Sequence, residues 1–262
     1  MTELDVYQVD AFSDRPFAGN PAAVVPLTEW LPDDVLQSIA SENNLSETAF
    51  FVEAEGDEDF HLRWFTPKFE VDLCGHATLA SGSVLFEQLN WPREKIVFQS
   101  KSGPLTVSRD GDRFALNFPS QPARDVAMPD GLPEAIGVKP LRYLRASMNM
   151  AILESESAVL AVDPDLPFIA GIEGVGLIVT APGDRSDCAS RFFAPHAGIN
   201  EDPVTGSAHC TIVPYWAEAL GKTDIYARQV SERGGDLYCR LEGERVSIAG
   251  DTALFLTGRI RV

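Results

Sequence analysis

Short apolar or alternating runs, separated by clusters of turn residues, recur along the whole chain and predict a protein rich in β-strands. One segment differs, because after Pro32-Asp33-Asp34 its apolar residues recur at helical spacing as far as Asn43-Asn44, which predicts a helix. Segment 119–140 is proline-rich with little periodicity, and we interpret it as a linker near the midpoint. Residues 22–25 form a short apolar run, and the predicted strands cover residues 4–12, 48–52, 60–65, 96–99, 105–108, 114–118, 150–153, 158–162, 175–180, 190–193, 245–249 and 253–262.

The two halves of the chain share a short repeat. Arg63-Trp64-Phe65-Thr66-Pro67 is echoed by Arg191-Phe192-Phe193-Ala194-Pro195, and each pentapeptide is followed by a glycine, Gly75 or Gly206, that opens an apolar segment. The order and residue types agree in both copies, which indicates an internal duplication. We therefore predict two structurally similar lobes, residues 1–120 and 121–262, with a last strand (about 251–262) that is able to return to the first lobe.

The apolar segments after the two glycines are predicted to be helices. Residues 76–89 carry no charge before Glu87, and residues 207–220 carry none before Glu218. A helix that is apolar all round is buried all round, so each lobe is expected to wrap its sheet about a central helix. Pro214 lies about two turns into the second helix and should kink it or remove a hydrogen bond.

Composition narrows the class of protein. Hydrophobic residues make up 45% and charged residues 23% of the 262 residues, which excludes a disordered chain. The formal charge of −18 repels phosphate backbones and argues against nucleic-acid partners. No stretch reaches the about 18 apolar residues that a membrane helix needs, and the acidic start does not resemble a signal peptide. Four cysteines are too few for a disulfide scaffold in a chain of this length. We expect a cytoplasmic protein with no membrane partner.

The starts of the two central helices are candidate anion sites. Free backbone N–H groups and the positive end of the helix dipole at Gly75 and Gly206 suit a carboxylate on a small substrate. If the lobes face each other, both helix starts point into one cleft. The alternative is that a small residue merely lets each helix pack tightly at its start.

Three side chains near these positions are candidates for acid–base chemistry. Glu47 precedes an apolar strand that would remove its carboxylate from water, although an exposed turn carboxylate is the more common reading. His76 could shuttle protons, or it could bond a neighbouring carbonyl at the start of its helix. Asp202 could hold a donor group of the substrate, or it could cap a turn. The repeated Arg63 and Arg191 fit a structural salt bridge as readily as a ligand contact.

Metal and cofactor chemistry receive little support from the sequence. Zinc-type ligands occur near the two glycines, but their spacing matches no specific motif, and we predict no metal. Cys74 could be a nucleophile, since a helix N-terminus lowers the pKa of a thiol. There is no glycine-rich phosphate loop, so no nucleotide cofactor is expected. The zinc-type residues are Cys74, His76, His196, His209 and Cys210.

Five blocks of sequence, spread over the chain, together resemble the PhzF-like phenazine-biosynthesis isomerase family. The resemblance implies an α+β, diaminopimelate-epimerase-like fold of two pseudo-symmetric lobes, each with a barrel-like, mostly antiparallel sheet around a central helix, and an active site between the lobes. It also implies proton-transfer isomerisation without a cofactor, often in a homodimer. The blocks are Gly19-Asn20-Pro21-Ala22-Ala23-Val24-Val25, Ser46-Glu47-Thr48-Ala49-Phe50, Arg63-Trp64-Phe65-Thr66-Pro67, Leu73-Cys74-Gly75-His76-Ala77-Thr78 and Glu201-Asp202-Pro203-Val204-Thr205-Gly206-Ser207-Ala208-His209.

The resemblance also assigns roles to residues of this chain. It implies that Glu47 is the general acid–base, with His76, Asp202 and Ser207 as polar groups around the substrate, and that Gly75 and Gly206 begin the helices that bind its carboxylate. Related racemases keep one of two catalytic thiols where Cys74 stands, but the counterpart in the second half is Thr205, so a two-thiol mechanism is excluded.

The sequence therefore predicts a cofactor-independent isomerase or epimerase that moves a proton on a small carboxylate. The alternative is a member of the fold that binds a metabolite or a protein without catalysis. The phenazine enzyme itself acts on a dihydro-hydroxyanthranilate, but the family is broad and the sequence does not name a substrate.

Overall fold

The computed structural model describes residues 2–262, and eighteen strands account for most of their regular structure. In chain order the elements are β1 (Glu3–Ala11), β2 (Asn20–Pro26), α1 (Asp33–Asn43), β3 (Glu47–Glu53), β4 (Phe60–Phe65), β5 (Glu70–Val71), α2 (Gly75–Ser83), β6 (Lys95–Ser100), β7 (Gly103–Asp110), β8 (Arg113–Pro119), β9 (Arg124–Asp125), α3 (Leu132–Ile136), β10 (Arg142–Arg145), β11 (Asn149–Ile152), α4 (Glu156–Leu160), α5 (Leu166–Ala170), β12 (Leu177–Pro182), β13 (Cys188–Ala194), β14 (Ile199–Asp202), α6 (Gly206–Leu220), β15 (Asp224–Gln229), β16 (Gly235–Glu242), β17 (Arg245–Gly250) and β18 (Thr252–Arg261). A π-helical segment, Val84–Gln88, continues α2, and a 3₁₀ turn, Pro195–Ala197, follows β13.

These elements fall into two units. The first contains the residues up to Asn117 together with Ala249–Val262, and the second contains Phe118–Ile248. The last strand, β18, belongs to the first unit because it pairs antiparallel with β1 from Glu3 opposite Arg261 to Ala11 opposite Thr252, with a β-bulge at Phe255.

The two units repeat one topology. In the first, β1 and β2 are antiparallel, β2 and β3 parallel, β3 and β4 antiparallel, and β4 pairs in parallel with β6 after α2. In the second, β10 and β11 are antiparallel, β11 and β12 parallel, β12 and β13 antiparallel, and β13 pairs in parallel with β15 after α6. The short strands β5 and β14 pair with β4 and β13 at equivalent points.

The central helices are buried as their uncharged sequences predict. All nine residues of α2 are buried, and α6 is buried from its first turn through Ala217 except at Ser207 and Tyr215. Gly82 of α2 lies so close to β7 that a Cβ there would approach Val107 Cγ1 to 2.5 Å. The absent side chain therefore sets how near the helix lies to the sheet.

Pro214 stays inside α6 without ending it. Proline has no N–H, so the carbonyl of Cys210 receives no helical hydrogen bond from it. The backbone N–H of Gln121 donates to that carbonyl instead, at 2.9 Å. Because of Pro214, the Cys210 carbonyl is available to Gln121, and this hydrogen bond joins the segment after β8 to α6.

Two predictions from the pattern were wrong. The run 158–162 was expected to be a strand but lies in α4 and the turn after it, and the Ser155 hydroxyl caps the helix by accepting from the Ala158 N–H at 3.2 Å. The segment 119–140, expected to be a linker, contains β9 and α3. Leu132 and Ile136 of α3 pack into the core of the second unit, which explains why this segment is ordered.

Candidate active site

Glu47 lies at the first position of β3, beside Ala22 of the parallel strand β2. Its side chain is 9% exposed. Of the two interpretations that the sequence allowed, a carboxylate removed from water and an exposed turn carboxylate, the structure supports the first. The residues after it, Thr48 to Val52, are all buried. A strand that enters the core directly after Glu47 holds this carboxylate at the edge of the interior.

His76, in the first turn of α2, places both ring nitrogens beside polar groups. Nε2 lies 3.2 Å from Oε2 of Glu47, in a close approach that is not aligned as a hydrogen bond. On the other side of the ring, Nδ1 lies 3.2 Å from Nδ2 of Asn20 and 3.5 Å from Sγ of Cys74. An amide N–H donates, so Nδ1 accepts and the ring proton is assigned to Nε2, which faces Glu47.

The imidazole of His76 is neutral at physiological pH. Burial lowers its pKa to about 3, because the charged form would have to be held away from water. The group beside Glu47 is therefore a neutral N–H, able to donate a hydrogen bond and to take part in proton transfer.

The start of α2 adds an electropositive backbone to this cluster. Cys74 occupies the N-cap position with extended backbone angles, and its side chain makes no capping hydrogen bond. The first-turn N–H groups, beginning with Gly75, thus receive no bond from that side chain. They are a suitable site for an anion in the way the sequence predicts.

In the second unit, Asp202, Thr205 and Gln229 form a buried hydrogen-bonded network. The Thr205 hydroxyl donates to Oδ2 of Asp202 at 2.5 Å, and the Thr205 N–H donates to Oε1 of Gln229 at 2.8 Å. Nε2 of Gln229 donates to the backbone carbonyl of Asp202 at 2.7 Å. The network holds the turn that leads into α6.

Gly206 and Ser207 form the first turn of α6, with Thr205 at the N-cap. Thr205 uses its hydroxyl toward Asp202 and makes no side-chain cap bond, so this helix start resembles that of α2. Ser207 is half-buried. His209 lies one turn further along α6. Its Nδ1 is 2.9 Å from the Thr205 carbonyl oxygen, to which it donates a hydrogen bond at the start of the helix.

The six residues proposed as functional thus form two groups. Glu47, Gly75 and His76 lie together in the first unit, whereas Asp202, Gly206 and Ser207 lie together in the second. Sequence reasoning gave no role to Asn20, although it lies in a quoted block, and it missed Gln229, for which the sequence offers no signal.

The repeated arginines are structural. Arg63 bonds both carboxylate oxygens of Glu70 at 2.8 and 2.9 Å, and Arg191 bonds both of Glu201 at 2.7 and 2.9 Å. Each pair joins the strand of the repeated pentapeptide to the short strand that follows it. Of the two readings of these arginines, the structure supports the salt bridge.

Among the described residues, one cluster has the composition of a metal site: Glu47, Cys74 and His76, each buried, offer ligand atoms within 4.8 Å of one another.

No helix in the described part of the chain is long and apolar enough to cross a membrane.

Comparison with known proteins decides the family. A family model described as phenazine biosynthesis-like protein matches residues 9–258. The chain belongs to this PhzC-PhzF family. The resemblance inferred from the five sequence blocks is confirmed.

Relatives of the family span the same length. The chain is 52% identical to an uncharacterized isomerase of Pseudomonas aeruginosa, over 99% of both chains, and 38% identical to a human phenazine biosynthesis-like domain-containing protein, over 98% of this chain and 99% of the relative. A crystal structure of a PhzF family protein from Enterococcus faecalis matches with a TM-score of 0.96 at 44% identity, over 100% of both chains.

The predicted α+β epimerase-like fold is also confirmed. A hydroxyproline epimerase from Agrobacterium vitis, crystallised with trans-4-hydroxy-L-proline, has the same fold at a TM-score of 0.64 and 11% identity, over 98% of this chain and 92% of that one. At that identity the likeness extends to the fold alone. The chain is thus a PhzF family protein with an epimerase-like fold, and its relatives include proteins named as uncharacterized isomerases.

Proposed function

We propose that this protein is a cofactor-independent isomerase or epimerase that moves a proton on a small carboxylate-bearing metabolite. The proposal rests chiefly on one observation, the buried Glu47 carboxylate 3.2 Å from the ring nitrogen of a neutral histidine. A carboxylate held at the edge of the core, next to a group that can donate to it, suits general acid–base catalysis.

In the proposed reaction, Glu47 is the proton carrier. Its carboxylate takes a proton from an acidic C–H bond, the bonding electron pair remains on the substrate as an enolate or extended anion, and the resulting carboxylic acid returns the proton to a carbon. His76, neutral and with its N–H on Nε2, stabilises the displaced charge or relays the proton. No step requires an oxidant, a metal or an organic cofactor.

Substrate binding is assigned to the helix starts. The N–H groups at Gly75 favour the carboxylate because they have no partner in the N-cap side chain and lie at the positive end of the α2 dipole. Gly206, Ser207 and Asp202 remain predicted substrate contacts, and the hydrogen-bonded turn at Thr205 supports their positions. The cytoplasm remains the expected location.

Deuterium uptake tests the proposal. The protein is incubated in D₂O with diaminopimelate, proline-type amino acids and a dihydro-hydroxyanthranilate, and the mass of each compound is followed. We expect Glu47→Gln to lower uptake on the order of 10²–10⁴-fold, the usual contribution of a general base. Glu53→Gln, at the exposed end of the same strand, is the matched control and should exchange as wild type does.

Cys74 provides the opposing test. We expect Cys74→Ala to exchange at close to the wild-type rate, because the proposed proton carrier is Glu47. Abolished exchange in Cys74→Ala, or full exchange in Glu47→Gln, would reject the glutamate mechanism. If no compound takes up deuterium but some raise the melting temperature, the non-catalytic binding function is favoured.

We also propose that the protein is a homodimer joined through β18. This strand pairs antiparallel with β1. Residues 254–259 are all exposed, among them Leu254, Phe255 and Leu256, and the ring of Phe17, 75% exposed, lies 5.4 Å from that of Phe255. A run of exposed apolar side chains of this kind is typical of a surface that contacts another chain.

The sequence of β18 favours a second copy as the partner. Two copies paired antiparallel about Leu256 would place Thr257 opposite Phe255 and Arg261 opposite Asp251, which gives an apolar centre and oppositely charged ends. The arginines of the strand are locally balanced by acidic residues of β1, so the net charge of −18 is not concentrated at this edge.

A further inference from the structure

The cluster of Glu47, Cys74 and His76 contains three different kinds of metal ligand. One carboxylate oxygen, one thiol sulfur and one ring nitrogen all lie within 4.8 Å of one another, and all three residues are buried. The mechanism proposed above uses the glutamate and the histidine but gives the thiol no role. Sulfur thus lies beside the proposed proton-transfer pair without a part in the proposed reaction.

The separations are close to those that zinc requires. With Zn–N and Zn–O bonds of about 2.0 Å and Zn–S bonds of about 2.3 Å, tetrahedral ligands lie roughly 3.3–3.8 Å apart. The Glu47 oxygen is already 3.2 Å from Nε2 of His76, and the Cys74 sulfur is 3.5 Å from Nδ1. One ion uses only one of these nitrogens, and the three ligand atoms lie within 4.8 Å of one another, so binding requires them to close by on the order of 1 Å.

The charges and the surroundings also suit a cation of this kind. A carboxylate and a thiolate neutralise a divalent ion, and Cys74 lies at the N-cap position of α2. Asn20, at 3.2 Å from Nδ1, can turn its amide so that the oxygen orients the ring of a zinc-bound His76. Sulfur among the ligands selects zinc over magnesium or calcium, which prefer oxygen.

We propose that Glu47, Cys74 and His76 bind zinc, and that the bound ion inhibits the enzyme. On binding, the thiol proton of Cys74 leaves to solvent and the thiolate, the carboxylate and the imidazole become ligands, while a water molecule completes four-coordination. The binding is independent of the proposed function. The inhibition rests on it, because the ion occupies the carboxylate that would carry the proton.

Cobalt(II) is the probe for the site, since it reports both thiolate ligation and coordination number in its absorption spectrum. Titration of the purified, metal-free protein should give a sulfur-to-cobalt charge-transfer band and strong visible bands at one ion per chain, and zinc should displace them. Cys74→Ala should lose the charge-transfer band, whereas Cys188→Ala, which removes another buried thiol, should keep it. Because loss of even an outer-shell partner costs 10–100-fold in affinity, loss of this ligand should weaken zinc binding by at least about 100-fold.

Melting temperatures keep the test decisive if a variant folds poorly. Zinc should raise the melting temperature of wild type and of Cys188→Ala, and should not raise that of Cys74→Ala. A wild-type protein with no charge-transfer band, or a band that survives in Cys74→Ala, would overturn the site. If the cobalt spectrum is as expected but no compound takes up deuterium, the metal site stands and the proposed function fails. Where uptake is found, zinc should suppress it in wild type and leave it intact in Cys74→Ala, and equal suppression of both would overturn the inhibitory role.

Discussion

Gln229 is a buried residue at the end of β15, and its side chain makes three hydrogen bonds to the turn before α6. It accepts from the Thr205 N–H and donates to the Asp202 carbonyl and, at 3.3 Å, to the Thr205 hydroxyl. These bonds fix the backbone on which the predicted Asp202 contact depends. Gln229 is therefore a positioning residue, one that acts through its neighbours.

We predict that Gln229→Met destabilises the protein by at least about 2 kcal/mol. Methionine keeps the side-chain volume but leaves the buried Thr205 N–H and Asp202 carbonyl without their partner, and an unsatisfied buried group costs about 1–3 kcal/mol. Urea unfolding at neutral pH measures the change. Gln121→Met, the same substitution at an exposed glutamine, should change the unfolding free energy little, and an equal effect of both variants would contradict the positioning role.

The two buried histidines predict how stability responds to acid. Burial lowers the pKa of His76 to about 3 and that of His209 to about 4, both below the ordinary value of 6.5. Between about pH 6.5 and 4 the unfolded chain binds protons that the folded chain does not, so the unfolding free energy falls as the pH falls. The expected slope is roughly 1.4 kcal/mol per pH unit for each histidine.

The contribution of a single histidine can be isolated. His209→Gln replaces the imidazole with a group that does not titrate, so the difference in unfolding free energy between variant and wild type should shrink steadily from pH 7 to pH 5. Urea unfolding at several pH values gives this difference. A difference that stays constant with pH would show that burial of His209 does not oppose its protonation.

Residue-level chemistry could be predicted only in part. Glu47 and His76 were identified as candidates because each precedes or opens an apolar element. Their 3.2 Å approach depends on α2 packing against the start of β3, which sequence spacing does not encode. Gln229 could not be predicted, since its partners lie 24 and 27 residues away and nothing in the local sequence distinguishes it.

At the scale of elements, α2 fits its sheet because Gly82 lacks a side chain. We predict that Gly82→Ala destabilises the protein, although alanine favours a helix by about 1 kcal/mol over glycine. The added Cβ would meet Val107 Cγ1 at 2.5 Å, and overpacking of a core typically costs 1–3 kcal/mol. Thermal unfolding measures the net change.

A double-mutant cycle tests the cause of that loss. Val107→Ala removes Cγ1 and Cγ2 and leaves only the Val107 Cβ, 2.9 Å from the new Cβ, so Gly82→Ala should cost less in the Val107→Ala background than in wild type. A cost that is the same in both backgrounds would place the strain elsewhere than against β7.

Residues 158–162, predicted as a strand but found in α4 and the turn after it, show why short secondary-structure elements are hard to predict. A five-residue apolar run fits a buried strand and a short buried helix equally well by periodicity. The capping hydroxyl of Ser155 decides for the helix, and Val159 then packs into the core of the second unit. The long uncharged segments 76–89 and 207–220 were predicted correctly because their length excludes a strand.

At the scale of the whole chain, the sequence repeat corresponds to a repeat of topology. The two pentapeptides begin in the last residues of β4 and β13, and each is followed by a short strand, a central helix and a parallel strand. The duplication could be predicted because the paired arginines and the helix glycines are fixed by local requirements. The strand partners could not, since pairing depends on contacts between residues far apart in the chain.

The proposed homodimer gives the last prediction. Leu256→Arg would place two like charges opposite each other at the two-fold axis of paired β18 strands, where direct opposition of like charges is unfavourable. We expect wild type to have the mass of a dimer by light scattering and Leu256→Arg to have that of a monomer, with an unchanged circular dichroism spectrum. Leu141→Arg, at a leucine that is 64% exposed in the second unit, is the control and should leave the dimer intact. A monomeric wild type, or a dimer that survives Leu256→Arg, would contradict pairing through this strand.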